Sequence, residues 1–423
     1  MASSKYFFTH KKPIGSRFFV LSTALTLAVA APPLAMAQAL TADEVVRLAL
    51  SRPENAAVIA ADLEAARGAQ VSVHTWRNPV IALEREGTDG FRGEGYETFV
   101  RLERTFDVSG RRRLERQAAD ARVSAAEFGR TDAEAILRAE ALSRFYDVLA
   151  AGLRVAVAER HQYEAVALHD ATAARQREGD ASRYDLERVR QETALAPVML
   201  AETRAEAFAA RRALGALIGA EMREVRATVA GVLAPPEAEP AEALLLRAQR
   251  TPRLRALAAE ADASQLRSRA ADRIAPDVTL GGGVRSVGGG MADETGLIVS
   301  FSVPLPLFDR NQGERLSRAA EASRATARYR LARDRIAADV AALAYRTETL
   351  REVALDYDQG ARAASEEFLR ISGSAYTGGE ITVLEAIDAL RAARDTELRA
   401  IQLQRNARAA HTALYTLVPE NTP

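Results

Sequence analysis

The chain has no cysteine. That excludes disulfides, thiolate metal sites, a thiol nucleophile and a lipid-modified N-terminal cysteine. Its only lysines are Lys5, Lys11 and Lys12. Aromatic residues make up just 6%. An aromatic-poor chain rich in Ala, Arg, Leu and Glu suits helix-on-helix packing better than a compact globular core. Proline is absent between Pro306 and Pro419. Net charge is zero, so composition implies no polyanionic partner. Beyond the first residues no run reaches the roughly 18 apolar residues of a spanning helix.

What is present begins with residues 1–37, which read as a secretory signal. Lys5, Lys11, Lys12 and Arg17 form a basic start, Phe18 to Ala31 is apolar, and Ala35-Met36-Ala37 fits the small-x-small cleavage rule. Removing those four cations from a neutral chain leaves a mildly acidic remainder. A chain so targeted is periplasmic, extracellular or an outer-membrane β-barrel.

The remainder divides into two copies of one pattern, residues 38–236 and 237–423. Each copy opens with a helix interrupted by proline, Pro53 in the first and Pro252 in the second. Two short alternating strands follow, at about 80–86 and 97–106 and again at about 277–285 and 295–303. Glycine-rich loops are expected at 87–96 and 286–294, and Gly281 to Gly283 and Gly288 to Gly290 are assigned to a hairpin end. Neither glycine run has the Lys-Ser/Thr or the strand–loop–helix context of a phosphate loop. Long helices are expected at 111–177 and 184–217, then at 313–374 and 381–417. At about 1.5 Å per residue the first would be on the order of 100 Å long. Pro197 is a candidate kink. In the second rod Ile336, Val340, Leu343, Thr347, Leu350, Ala354 and Tyr357 step by four and three, the seam of packed helices.

Two junctions stand out. Between the fourth strand and its rod lies Phe301-Ser302-Val303-Pro304-Leu305-Pro306-Leu307-Phe308-Asp309-Arg310-Asn311-Gln312-Gly313. The prolines end strand pairing and forbid helix there. At the rod tips the copies match: Gly179 with Gly379, Asp180 with Glu380, Ser182 with Thr382, Asp185 with Glu385. Glycine ends one helix and Ser or Thr caps the next. Four strands leave two bare edges, and a sheet in a bilayer must close, so the strands imply oligomerisation.

The repeat, the Leu305 to Gly313 hinge, its counterpart Phe106-Asp107-Val108-Ser109-Gly110-Arg111-Arg112 and the paired tips resemble the TolC family of outer-membrane efflux channels, in particular its cobalt–zinc–cadmium branch. The resemblance covers essentially the whole mature chain. It implies a mainly α fold with a small membrane β portion: a homotrimer with a twelve-stranded β-barrel in the outer membrane of a Gram-negative bacterium and a helical barrel in the periplasm. It implies a periplasmic adaptor and an inner-membrane RND pump as partners, outer-membrane lipid around the barrel, and no nucleic acid. Pro304, Pro306, Phe308, Asp309 and Gly313 would be the strand–helix hinge. Gly179, Asp180, Ser182, Gly379, Glu380 and Thr382 would meet the adaptor. Asp185, Arg188, Glu385 and Asp388 would line the periplasmic entrance, with Arg183, Tyr184 and Arg188 as candidate partners of Asp185. Glu385 and Asp388 are three apart and share a helix face; repeated by symmetry, such carboxylates favour cations. Ile381 stands where some members carry a basic gate residue.

Competing readings are a channel for drugs or secreted proteins, and a periplasmic coiled-coil scaffold without a pore. His74, His161, His169 and His411 are too scattered to read as a metal site, and no cofactor is expected. Arg111 to Arg113 fit the membrane–water boundary better than a nucleic acid. No catalytic constellation is recognisable, so no enzyme is expected.

Overall fold

The computed structural model describes residues 39–90, 93–219, 229–288 and 294–419; the expected signal at 1–37 lies outside these. Helix α1 (Ala42–Ser51) is capped by the Thr41 hydroxyl, and α2 (Pro53–His74) starts on Pro53. Proline fits the first helical turn, where its missing N–H has no partner to lose. Strands β1 (Val80–Gly90) and β2 (Gly93–Phe106) lead to rod α3 (Arg111–Glu178) and return helix α4 (Arg183–Ile218). Pro197 lies inside α4 without ending it. The order then recurs as α5 (Ala241–Ala248), α6 (Pro252–Ala271), β3 (Val278–Gly288), β4 (Glu294–Ser302) and α7 (Gln312–Tyr357). A π-helical turn (Asp358–Arg362) joins α7 to α8 (Ala363–Thr377), and α9 (Val383–Leu417) returns.

Each short opening helix packs between its own rod and return helix. Val45, Val46 and Ala49 of α1 bury against Phe145 and Val148 of α3 and Leu214 of α4. Leu244 and Ala248 of α5 bury against Ile336 and Val340 of α7 and Leu414 of α9. The heptad seam behaves as its spacing dictates: Ile336, Val340, Thr347 and Ala354 are buried, and Leu343, Leu350 and Tyr357 half-buried.

The second rod is not one regular helix. Continued past Tyr357, the four–three steps lead to 364, 368, 371 and 375. The inward residues are instead 365, 369, 372 and 376, and Phe368 and Ile371 are exposed. A π turn inserts one residue into the helical count, and the turn at Asp358–Arg362 advances the seam by that one position.

The strands form one antiparallel sheet in the order β1-β2-β3-β4. The first three run further than expected, and β4 has its expected length. Most of 87–96 is strand, residues 91–92 lie outside the described chain, and β3 continues to Gly288. Gly281 to Gly283 lie in mid-strand, not at the hairpin end. Side chains at Gly283 and Gly281 would overlap the Val100 carbonyl and the Ser300 hydroxyl. A strand interior where neighbouring backbone comes this close admits only glycine.

Register sorts the two faces. Leu83, Val100, Val284 and Leu297 form one cross-strand row, and Ile81, Leu102, Gly282 and Val299 the next. This face is apolar and open: Val299 is 87% exposed. The other face carries Glu84, Glu97, Arg101, Glu103 and Arg285. There Arg101 pairs with Glu84 at 2.7 Å and Arg285 with Glu97, its Nε donating at 2.9 Å. Edges β1 and β4 have no strand partner among the described residues.

Candidate functional site

The rod tips are built by local backbone chemistry. Gly179 ends α3 in the left-handed region at φ 90°, and the Asp180 N–H reaches back to the Arg175 carbonyl at 2.9 Å. Gly379 repeats this at φ 77°, with the Glu380 N–H on the Ala375 carbonyl at 2.9 Å. Glycine adopts this conformation without the Cβ penalty. Ser182 then caps α4, and Thr382 caps α9.

Both tip acids close capping boxes. Asp185 Oδ2 accepts the Ser182 N–H at 2.9 Å and its hydroxyl at 2.7 Å. Glu385 Oε2 accepts the Thr382 N–H at 2.7 Å and its hydroxyl at 2.9 Å. The backbone and side-chain hydrogen bonds from Thr382 hold the Glu385 carboxyl below the usual carboxylate range. Within one protomer Asp185 therefore bonds to Ser182, not to Arg183, Tyr184 or Arg188; Arg188 Nη1 instead donates to Gln191 at 3.3 Å. Asp388 is exposed one turn beyond Glu385, without an ion pair among the described residues.

The hinge residues occupy an irregular stretch between β4 and α7. The Leu307 N–H bonds to the Leu305 carbonyl at 2.9 Å around Pro306. Asp309 Oδ1 accepts the Asn311 N–H at 2.8 Å, and Asn311, at φ 60°, precedes the helix. In the first copy Asp107 does the same work: Oδ1 takes the Ser109 N–H at 2.9 Å, Oδ2 takes the Arg112 N–H at 2.7 Å, and Gly110 sits at φ 74°. Phe308 is 91% exposed, and Pro304 and Gly313 are exposed too.

Sequence reading missed two clusters. The first ties the tips together. Arg175 of α3 donates to the Tyr376 carbonyl at 2.6 Å and stacks on its ring, while the Thr172 and Tyr376 hydroxyls share a bond of 2.6 Å. The second lies higher, between α3, α4 and α9. His161 Nε2 is 3.5 Å from Glu192 Oε1, and Arg391 Nε donates to Glu192 Oε2 at 3.0 Å. Burial pushes the Glu192 carboxyl up, but the Arg391 bonds and the surrounding cations outweigh it, and the group ends below its usual range. Burial, then the Arg394 charge, keeps His161 below the ordinary histidine value despite Glu192. The available signal was position: Val189, Glu192, Ala196 and Leu200 form one buried stripe of α4. A charged residue on an apolar stripe needs a partner from another helix.

A rod-and-hairpin chain with one apolar and one ion-paired sheet face has the fold of outer-membrane channels. The channel OprN matches with a TM-score of 0.74 and 21% identity, over 89% of each chain. VceC of Vibrio cholerae matches with 0.74 and 17%, over 89% of this chain and 95% of that one. CusC matches with 0.71 and 17%, over 89% and 91%. Residues 240–419 match the outer membrane efflux protein family. Along 368 residues, 85% of each protein, the chain is 26% identical to the cobalt-zinc-cadmium resistance protein CzcC of Cupriavidus metallidurans.

Proposed function

We propose that the chain is a passive outer-membrane export channel, the outermost part of a tripartite RND system, and that divalent heavy-metal cations are its cargo. The observation that carries the channel reading is the two-faced sheet with two open edges. An apolar face this exposed fits hydrocarbon, and free edges fit closure only with further copies. Three copies of a four-stranded sheet give twelve strands, an even number in the range of such barrels. The ion-paired face then lines a wet lumen, and the rods prolong it into the periplasm. The metal reading rests on the likeness to CzcC.

Glu385 and Asp388 from each copy would ring the entrance. Glu385 spends one oxygen on its own helix cap, so its charge stays fixed in place. The protein supplies no energy; the pump does, through an adaptor docked at Gly179 to Ser182 and Gly379 to Thr382. The test is single-channel recording in planar bilayers. Glu385→Gln, which keeps a cap acceptor, combined with Asp388→Asn should lower the cation-to-anion permeability ratio. Unchanged selectivity would remove the acidic ring, and a chain that forms no pore would remove the channel.

A further inference from the structure

Trp76 is the only tryptophan in the chain. It lies between α2 and β1, 52% exposed. Three guanidinium groups surround its ring: Arg112 at 4.1 Å, Arg104 at 4.9 Å and Arg116 at 5.7 Å from Cζ to the ring centre. Arg104 also lies 5.3 Å from the Phe106 ring. No carboxylate is in ion-pair range of Arg104, Arg112 or Arg116 among the described residues. What they do contact is partial charge. Arg112 Nη2 donates to the Thr75 carbonyl at 2.7 Å and the His74 carbonyl at 3.2 Å, and Arg116 Nη2 reaches the His74 carbonyl at 3.4 Å. These are the orphan carbonyls at the C-terminal end of α2, where a cation is favoured. The Nε–H of all three arginines is buried without a partner. Three close cations offset only by carbonyl dipoles and a ring face leave room for a counter-anion.

The register says where that anion comes from. Arg104 pairs with Leu280, and Leu280 with Phe301, on the face that carries Leu102 and Val299. Arg104 thus stands on the apolar face, near the end of its strand, where β2 gives way to the rod. The nearby acid is Asp107, but its oxygens are taken by Ser109 and the Arg112 N–H. That bond also removes the start of α3 as an anion site.

We propose that Trp76, Arg104, Arg112 and Arg116 bind the phosphate of an anionic phospholipid in the periplasmic leaflet, with the indole at the depth of the glycerol backbone. The inference rests on the membrane reading above. Aromatic rings collect at this boundary, and guanidinium groups hold phosphate through paired donors. The site would fix the barrel's depth at the plane where the hinge begins.

The experiment uses the assembled protein in detergent micelles, with native mass spectrometry counting retained lipid. Phosphatidylglycerol should be kept in preference to phosphatidylcholine. Each arginine at a lipid surface contributes on the order of fivefold in affinity, so Arg112→Gln with Arg116→Gln should weaken phosphatidylglycerol retention by about 30-fold. Arg113→Gln, an exposed neighbour, should leave it unchanged. If the double variant does not assemble, Arg104→Gln alone should still weaken retention by about fivefold. Equal retention of the two lipids, indifference to every arginine variant, or displacement by millimolar inorganic phosphate would overturn the assignment. An assembly that conducts but ignores lipid charge sinks only this site; a chain soluble without detergent sinks the membrane reading with it.

Discussion

Glu192→Ala is the sharpest perturbation the fold offers. The Glu192 and His161 side chains are each 3% exposed, so neither reaches water. The carboxylate holds Arg391 by two hydrogen bonds and lies 4.0 Å from Arg394 Nη1. Removing one partner of a buried ion pair costs about 3–5 kcal/mol, because the other charge is stranded. Here the stranded group can partly rehydrate, since the Arg391 side chain is 38% exposed. That places the loss at the lower end, about 3 kcal/mol, or roughly 150-fold in an opening equilibrium. Amide hydrogen exchange of the assembled protein reads this locally. Protection of α4 and α9 around residues 189–200 and 387–394 should fall by about that factor, with α1 and α5 unchanged. Glu192→Gln should lose about half as much, because shape and one acceptor remain. Glu192→Ala with Arg391→Ala should lose less than the two single losses added. Exchange altered by less than fivefold in Glu192→Ala would refute the reasoning.

Acid should destabilise the helical part through His411. Burial, then the Arg408 charge, lowers its pKa to about 4. The unfolded chain, near 6.5, takes up the proton first, so this stability is complete above about pH 6.5 and is lost as pH falls towards 4. Between pH 7 and pH 5 the loss is about 2 kcal/mol. His411→Phe, which keeps a ring beside Tyr415, should lower the apparent melting temperature less over that range than the parent does. On the channel reading, Val299→Arg on the apolar face of the sheet puts a charge into lipid at a cost of roughly 2–4 kcal/mol at mid-bilayer depth. It should reduce the assembled fraction in membranes, whereas Ile298→Arg, on the ion-paired face, should assemble; equal outcomes would contradict the assignment of faces.

Much of this architecture was legible because its signals are local. Pro53 and Pro252 interrupt the opening helices, Gly179 and Gly379 end the rods, and Ser182 caps the return helix. Strand alternation was legible too, since a period of two sets both faces at once. The glycines of β3 were misread because a glycine cluster marks either a turn or a close approach. Only the close approach of the Val100 carbonyl and the Ser300 hydroxyl distinguishes them. The tip acids were legible as tip residues, but not their engagement in their own caps. Glu192, His161 and Arg391 were illegible as a unit because three helices bring them together. Arg175 and Tyr376 are 201 residues apart and met only when both rods were in place.

The π turn explains that last meeting and can be tested through it. In the uninterrupted seam, position 375 would face inward, and Tyr376 would point past α3. The inserted residue instead turns Leu369, Ser372 and Tyr376 inward, which brings the Tyr376 ring under Arg175 and its hydroxyl onto Thr172. Arg362 bridges the insertion, pairing with Asp358 and Glu366 at 2.5 Å each. Gly360 has open space where a Cβ would go, so nothing packs on it and its loss leaves no cavity. Deleting Gly360 removes the extra residue, so the turn should become regular α-helix with Leu369, Ser372 and Tyr376 still inward. Inserting one Ala between Ala363 and Ala364 should instead carry Phe368 and Ile371 inward and swing Tyr376 away from α3. The tip of the insertion variant would lose its Arg175 and Thr172 links while the seam above residue 357 stays intact. The expected result is parental behaviour for the deletion, and for the insertion faster exchange confined to the tips with a higher resting conductance in planar bilayers. If the insertion left tip protection and conductance at parental values, the seam would not be what places Tyr376. Arg175→Gln, which removes the charge without touching the helical count, should reproduce the conductance but not the repacking of Phe368.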